Sequence, residues 1–138
     1  MRERQPVSAK REIIPPPGPA PQLAPSSAAP ASMAVRGGDF IFASGLTAID
    51  LHTGERVCGT TASETHQILG NLRELLEAAG SSLARVVKVN VLLHSMLEAQ
   101  NMNEVYVRFF PDQPPARTVC GAKLPDGCKV IIECTALA

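Results

Sequence analysis

The sequence predicts an α+β domain in which two helices cover one face of a mixed β-sheet. The 138 residues suit a single domain, and a 45% hydrophobic content with zero formal net charge is typical of a packed core. Two segments, one after Thr61 and one after Ser95, carry apolar residues at helical spacing, and short β-branched or aromatic runs flank them. Two helices on one face leave the other face uncovered, so we expect an oligomer that buries it.

Residues 1–30 are predicted to be an N-terminal arm that is compatible with partial order against the domain, which leaves 31–138 as the folded domain. Eight of the 12 prolines lie in this arm, with Ala and Ser between them. Such a composition favours an extended, polyproline-like conformation, and the arm lacks the continuous apolar core of a signal peptide. Within it, Ile13 and Ile14 are compatible with a short strand that ends before Pro15.

The domain begins with strand signals. Met33–Val35 and Phe40–Ser44 are rich in residues that favour strands. The glycine pair at 37–38 predicts the turn between them, and Gly45 is predicted to close the second strand. Arg56–Cys58 is predicted to be a further, brief strand.

The first helix is the clearest element of the sequence. Thr61–Glu64 matches a capping box, and Gly80 is the expected C-terminal stop. Apolar residues at helical spacing form one stripe that we assign to the core, namely Ile68, Leu69, Leu72, Leu75, Leu76 and Ala79. The solvated face is predicted to carry Gln67, Asn71, Arg73 and Glu74.

A long strand and a second helix follow. Ala84–Leu93 is predicted to be a strand with Lys88 and Asn90 on one face. The other face is predicted to carry Val87, Val89, Val91 and Leu93. Ser95–Glu98 is a second capping box, and Pro111 ends the helix. The buried stripe of this helix is predicted to be Met102, Val105, Tyr106 and Phe109.

Two strands complete the chain. A double proline precedes Ala116–Ala122, which is predicted to be a short strand. Asp126–Gly127 predicts a hairpin turn into the last strand, Cys128–Ala136. Because side chains alternate along a strand, Ile131 and Glu133 are expected on the same face of it.

Arg117 is the only charged residue from Ala116 to Ala122, which makes it the main candidate for a binding site. A buried guanidinium without a partner is very costly, so Arg117 must reach water or contact an anion. Its planar fork suits a carboxylate held by two parallel hydrogen bonds. Two structural alternatives are an ion pair within the protein and an arginine that extends from the strand edge into water.

Other kinds of site and partner have little support in the sequence. The cysteines at 58, 120, 128 and 134 form no CxxC pair and the three histidines are scattered, so we expect no metal site. The thiols are expected to be reduced, as in a cytoplasmic protein. Zero net charge without a basic run argues against nucleic-acid binding. No apolar run approaches membrane-spanning length.

An ordered set of motifs resembles the RidA/YjgF family, also labelled L-PSP endoribonuclease. The matching stretches cover residues 38 to about 135 and are Gly38–Gly45, Asn71–Leu83, Val86–Val89, Met102–Pro111, Pro115–Thr118 and Leu124–Glu133. The resemblance implies a chorismate-mutase-like α+β fold and a homotrimer, in which three sheets form a central β-barrel with clefts between subunits. It also implies the cofactor-free hydrolysis of reactive enamines and imines, such as 2-aminoacrylate, to a keto acid and ammonia.

The same resemblance implies roles for three residues. Arg117 matches the arginine that holds the substrate carboxylate, and Ser44 and Asn103 match residues near the cleft. Structural alternatives remain for the last two. Ser44 is also placed to satisfy a backbone group at a strand end, and Asn103 to tie a helix to a loop.

Two departures from the family pattern concern the chemistry. Ala31 stands where the family has a tyrosine in the cleft. Ile131 stands where the family has the glutamate proposed to activate water, and Glu133, two residues further on, is the remaining candidate for a catalytic carboxylate. The Arg117 strand is also one residue shorter than in the family, which offsets Cys120, a further candidate for the cleft lining.

Three functions follow from the sequence. The first is deamination of small enamine or imine intermediates, weak or with altered specificity. The second is a non-catalytic trimer that binds a small carboxylate. The third is an endoribonuclease, which we rank last because the sequence offers no histidine pair for RNA cleavage and its charge is balanced.

Overall fold

The computed structural model describes residues 10–18 and 30–138, which form a six-stranded mixed sheet with two α-helices on one face. The strands are β1 (Arg11–Ile14), β2 (Ala34–Gly37), β3 (Phe40–Leu46), β4 (Val86–Leu93), β5 (Ala116–Gly121) and β6 (Val130–Leu137), and the helices are α1 (Thr61–Ala78) and α2 (Ala99–Phe109). The spatial order is β1-β2-β3-β6-β4-β5, with β5 parallel to β4 and the other neighbours antiparallel. The predicted α+β class is confirmed.

Part of the predicted arm belongs to the sheet. β1 pairs with β2 in a register that places Ile13 opposite Val35, and Ile14 is buried in the core. The predicted strand at Ile13 and Ile14 is therefore confirmed. Residues 1–9 and 19–29 lie outside the described residues, so the polyproline-like conformation of the arm and the boundary at residue 30 stay predictions.

β3 runs further than predicted. Gly45 does not close it, because the strand continues to Leu46 and its register with β6 shifts between Ala43 and Leu46. A Cβ atom at Gly45 would lie 2.8 Å from Cγ2 of Ile131, so the glycine permits a close approach of β6. The brief strand predicted at Arg56–Cys58 is wrong, since only an isolated bridge between Ile49 and Arg56 forms there.

α1 begins one residue earlier than predicted, and its capping box uses other residues. The Oγ1 atom of Thr60 accepts a hydrogen bond from the backbone N–H of Ser63 at 3.0 Å, and Thr60 N–H donates to Oγ of Ser63 at 2.9 Å. Glu64 is instead buried, and its Oε1 atom accepts from the N–H of Lys129 at 3.0 Å. The predicted box at Thr61–Glu64 is wrong because Glu64 satisfies a backbone group at the start of β6.

The polar face of α1 is only partly solvated. The side-chain amides of Gln67 and Asn71 donate to the carbonyl oxygen of Ile49 at 3.0 and 2.7 Å, and Asn71 is buried. These two residues hold the loop after β3, so the prediction of a solvated position is wrong for them. Arg73 is exposed as predicted, and Gly80, with φ of +84°, lies in the left-handed conformation expected where a helix ends.

β4 and α2 follow the predicted pattern with two differences. Val87 is 40% exposed because the register of β4 against β6 shifts between Val86 and Lys88, whereas Val89, Val91 and Leu93 are buried. Ser95 caps a short 3-10 turn over Met96–Glu98, and α2 itself begins at Ala99. The buried residues of α2 are Met102, Val105 and Tyr106, as predicted, while Phe109 is half-buried.

The predicted hairpin between the last two strands is wrong. The turn at Asp126–Gly127 exists, with positive φ angles of 58° and 73°. β6, however, lies between β3 and β4, and β5 pairs with β4 instead of β6. The turn signal fixes a local bend, but the residues from Ala122 to Lys129 carry the chain across β4 rather than back along β5.

The two faces of the sheet differ as the sequence predicts. The core fills the space between the sheet and the two helices. The opposite face, called here the open face, exposes four large apolar side chains, namely Ile13, Phe40, Phe42 and Leu137. Among the residues that the structure describes, neither helix is long and apolar enough to cross a membrane.

Candidate functional site

Arg117 extends from the edge strand of the sheet toward the second helix. It is the Cα partner of Val89, whose side chain is buried under the helices, so Arg117 stands on the helix-covered side. Because β5 is the last strand of the sheet, the side chain reaches past α2 to the surface and is exposed. The register of one parallel strand pair thus decides which way the arginine points.

Two residues one helical turn apart on α2 hold the guanidinium. Nη1 of Arg117 donates a hydrogen bond to Oδ1 of Asn103 at 2.7 Å. The guanidinium carbon lies 4.6 Å from the centre of the Tyr106 ring, within the range of a cation–π contact. Sδ of Met102 is 4.0 Å from the same Nη1 atom. All three partners are uncharged.

Arg117 has no acidic partner in the described part of the chain. The ion pairs within residues 10–18 and 30–138 join Arg36 to Glu12, Arg56 to Asp126 and Lys129 to Glu64. The structural ion pair considered for Arg117 is therefore not observed there. Within these residues no carboxylate pairs with the guanidinium, which leaves its charge available to an anion.

A depression of about 300 Å³ lies beside the guanidinium. Its walls are formed by Asn103, Tyr106, Val107, Phe110, Pro114, Pro115 and Arg117. One cation and one amide thus stand among aromatic, proline and valine side chains. This arrangement can bind a small molecule that has a carboxylate at one end and an apolar group at the other.

Tyr106 is buried, and within the described residues its hydroxyl has no hydrogen-bond partner. Burial raises the pKa of Tyr106 to about 12, although the charge of Arg117 acts in the opposite direction. The phenol therefore keeps its proton at neutral pH and does not act as a base. Its aromatic face is the part of the side chain that meets Arg117.

A second group of polar side chains lies on the open face. Oε1 of Glu133 accepts a hydrogen bond from the side-chain amide of Asn90 at 2.8 Å, and Nζ of Lys88 donates to Oγ1 of Thr118 at 2.9 Å. A depression of about 220 Å³ lies there, lined by Phe42, Ala43, Lys88, Asn90, Glu133, Cys134 and Thr135.

The structure brings together only some of the residues that the sequence singles out. Asn103 meets Arg117 directly. Ile131 and Cys120 are both Cα partners of Leu92, so they stand in one row on the open face, with Glu133 on the same face. Within one chain, these three residues lie on the opposite side of the sheet from Arg117.

Ser44 and Ala31 stand apart from both groups. Oγ of Ser44 donates to the carbonyl oxygen of Ser32 at 2.5 Å, which is the backbone contact considered as its structural alternative. Ala31, exposed and adjacent to Ser32, offers no polar atom beyond its backbone. No observation assigns either residue to a ligand, so their roles stay predictions.

The sequence does not predict the contact of Tyr106 with Arg117, because the helical periodicity of apolar residues assigns Tyr106 only to the buried stripe of α2. Its spacing of three from Asn103 indicates that both side chains share one face of the helix. The sequence does not reveal that β5 runs beside this face. The sequence therefore indicates that Asn103 and Tyr106 share a face of α2, but it does not indicate that the strand carrying Arg117 lies beside that face.

The thiols offer no activated nucleophile among the buried positions. All four cysteines are free. Burial raises the pKa of Cys134 to about 12 and also raises the pKa of Cys128, so both stay protonated at neutral pH. Across residues 10–18 and 30–138, no group of three or more His, Cys, Asp and Glu side chains is arranged to hold a metal ion.

Comparison with known proteins gives a consistent result. A family model described as Endoribonuclease L-PSP matches residues 21–138. The chain is 42% identical over 116 residues to a RutC family protein of Pyrococcus horikoshii, a match covering 83% of this chain and 90% of that protein. It is 33% identical over 130 residues to Reactive Intermediate Deaminase A, chloroplastic, of Arabidopsis thaliana, covering 94% and 67% respectively. It is 35% identical over 112 residues to the 2-iminobutanoate/2-iminopropanoate deaminase of Dermatophagoides farinae, covering 80% and 88%.

Solved structures are similar over most of the chain. RidA from an Antarctic Psychrobacter is 33% identical with a TM-score of 0.76, covering 85% of this chain and 95% of that one. TdcF of E. coli, crystallised with bound serine, is 28% identical with a TM-score of 0.75, covering 85% and 94%.

Proposed function

The chain belongs to the Endoribonuclease L-PSP family, also called RidA/YjgF, and from that premise we propose that it hydrolyses small 2-imino acids to 2-keto acids and ammonia. The names of two relatives as deaminases support this reaction. The observation that carries the proposal is the guanidinium of Arg117, which neutral groups hold at the mouth of a depression and which forms no ion pair within the described residues.

The proposed reaction is a hydrolysis without a redox change. An enamine such as 2-aminoacrylate takes up a proton at its CH2 carbon and gives up one from its nitrogen, which yields the 2-imino acid. Water adds to the carbon of the C=N bond, and the adduct loses ammonia as the C–N bond breaks and the C=O bond forms. One imine and one water give one keto acid and one ammonia. Because the imine carbon is already electrophilic, the protein needs only to hold the substrate, place the water and relay protons.

Arg117 is assigned the substrate carboxylate. One of its five N–H donors is directed at Asn103, which leaves donors for a two-point contact with a ligand. Tyr106, Phe110 and Pro115 would then face the carbon chain of the substrate. The serine bound by TdcF supports a small carboxylate as the kind of ligand.

We assign the rest of the site to a second copy of the chain, in the homotrimer that the family resemblance implies. Arg117 and Ile131 lie on opposite sides of the sheet, so one chain alone does not bring them together. The exposed phenylalanines of the open face favour its burial against other copies. Light scattering after size-exclusion chromatography should give the mass of a trimer, and a monodisperse monomer at micromolar concentration would contradict the assembly.

The proposed hydrolysis is slow compared with relatives that carry a glutamate at the position of Ile131. An isoleucine makes the site drier but does not activate water. Glu133 lies two residues, roughly 7 Å, further along the strand and is hydrogen-bonded to Asn90. We therefore treat Glu133 as the only remaining carboxylate candidate on β6 and expect it to contribute little.

Ile131 also favours a second candidate function, the binding of a small carboxylate without hydrolysis. Ammonia release from freshly generated 2-aminoacrylate separates the two functions. We expect release above the uncatalysed background that disappears in Arg117→Ala. Pyruvate binding without any enzyme-dependent ammonia release would favour the second candidate. No observation in the structure favours an endoribonuclease.

A further inference from the structure

We propose that Tyr106 is a positioning residue, whose aromatic face holds the guanidinium of Arg117 in the plane in which it binds a carboxylate. The inference rests on the proposed function, because it concerns how that site recognises its ligand. The sequence pattern places Tyr106 only in the buried stripe of α2.

Two neighbours on α2 fix the position of the guanidinium. The guanidinium carbon stands 4.6 Å from the ring centre of Tyr106, while Nη1 contacts Asn103 at 2.7 Å. The Tyr106 ring restrains the guanidinium on one side, and the side-chain oxygen of Asn103 restrains one of its N–H groups. An arginine side chain on an exposed edge strand otherwise has many rotamers, and fixing one of them in advance lowers the entropy lost when a ligand binds.

Both of these neighbours are uncharged. A carboxylate in place of Tyr106 or Asn103 would also orient Arg117, but it would neutralise the cation and compete with the ligand. An aromatic face and an amide oxygen attract the guanidinium while leaving its net charge intact. The described residues supply no ion pair to Arg117, so its orientation depends on these uncharged partners.

The ring of Tyr106, and not its hydroxyl, makes the contact with Arg117. The Tyr106 hydroxyl is buried and, within the described residues, makes no hydrogen bond. Within the described residues, the position of the ring therefore does not depend on a hydrogen bond of its hydroxyl. The ring face is the part in use, and a phenylalanine should serve equally well.

The alternative is that Tyr106 only fills the core, and a selectivity measurement separates the two roles. Calorimetry would compare the binding of pyruvate with that of pyruvamide, which has the same shape but no charge. We expect Tyr106→Phe to keep the wild-type preference for pyruvate. Tyr106→Leu should lower that preference about fivefold, since a cation–π contact at a partly exposed site is lost.

Val105→Ala is the matched control, because Val105 is a buried neighbour on the same helix that lies outside the residues lining the Arg117 depression. It should lower the melting temperature without changing the preference for pyruvate. If Tyr106→Leu does not fold, Tyr106→Met supplies a flexible side chain without a ring and carries the same expectation.

Two results would overturn the inference while leaving the proposed function intact. One is an unchanged preference for pyruvate in folded Tyr106→Leu or Tyr106→Met. The other is a preference for pyruvate that falls as much in Tyr106→Phe as in Tyr106→Leu, which would assign the effect to the hydroxyl. A wild-type protein with no preference for pyruvate would instead refute the carboxylate site itself, and the inference with it.

Discussion

Replacing Ile131 with glutamate should raise imine hydrolysis by about a hundredfold, the typical contribution of a positioned acid or base. Ile131 is half-buried on the open face, beside Leu92 in the register of β4 and β6. A carboxylate at this position would stand where the family resemblance places the group that activates water. The substitution adds an ionisable group without touching Arg117 or its partners.

The stability cost of Ile131→Glu can be estimated from burial. Fully burying an isoleucine contributes about 1.5–3 kcal/mol, so the loss at a half-buried position is about 1 kcal/mol. For a chain of this size, that corresponds to a fall of about 4 °C in the melting temperature. The single chain should therefore fold, and a trimer mass equal to that of the wild type in light scattering would allow a rate change to be assigned to chemistry.

The assay is ammonia release from 2-aminoacrylate that is generated in the cuvette. Ile131→Gln is the matched control, because it has the size and polarity of the glutamate but cannot accept the proton. It should stay at the wild-type rate. The increase in hydrolysis rate of Ile131→Glu should develop as pH rises through the ordinary glutamate pKa of about 4, since a general base must be ionised.

A fast wild-type enzyme that loses activity in Glu133→Gln would refute this reasoning. It would mean that β6 meets the substrate in a register shifted by two residues, with Glu133 as the catalytic carboxylate. Equal rates for Ile131→Glu and Ile131→Gln would show that this position lies away from the reacting atoms.

Three further predictions follow from individual contacts. Gly45→Ala should destabilise the fold by about 1–2 kcal/mol in thermal unfolding, because its Cβ would lie 2.8 Å from Cγ2 of Ile131. Made in an Ile131→Ala background, Gly45→Ala should leave the stability almost unchanged. A stability loss as large as in the wild-type background would show that the contact with Ile131 is not the cause. Asn103→Asp should weaken pyruvate binding at pH 7 in calorimetry, since the new carboxylate pairs with Arg117. Pairing lowers the pKa of that carboxyl, so the weakening should persist at pH 5, above the ordinary aspartate pKa of about 4; unchanged binding at pH 7 would contradict this. Tyr106, the only tyrosine of the chain, should ionise near pH 12 in absorbance titration. The unfolded chain releases that proton at an ordinary pKa of about 10, so this group stabilises the fold below pH 10 and its contribution falls as pH rises toward 12, whereas ionisation near 10 in the folded protein would show that the ring is not buried.

Local patterns predicted the helices and most strands because neighbouring residues determine them. The stripe from Ile68 to Leu76 is buried, and Gly80 adopts the left-handed conformation that the stop signal requires. The capping box of α1 was misassigned by one residue, because Thr61 and Glu64 match the sequence rule, whereas Thr60 and Ser63 form the reciprocal hydrogen bonds with a serine in place of the usual Glu or Gln. Only the tertiary contact of Glu64 with the N–H of Lys129 decides between them.

These local patterns do not determine which strands pair with each other in the sheet. The turn at Asp126–Gly127 suggested a hairpin, yet β6 lies between β3 and β4. The parallel register of β5 on β4 directs Arg117 toward α2 and Cys120 toward the open face. The resemblance identified Arg117 and Asn103, but only this register shows that Asn103 and Tyr106 hold the arginine.

A calorimetric titration of pyruvate into the wild-type protein and Arg117→Ala, with the oligomeric mass of both checked by light scattering, tests whether Arg117 holds the carboxylate of the substrate. The wild type should bind pyruvate, and the alanine variant should keep the same mass but give no binding heat. Arg117→Lys should bind more weakly than the wild type, because the charge remains but the fork is lost. Equal affinity in the wild type and Arg117→Ala would show that Arg117 does not hold the carboxylate.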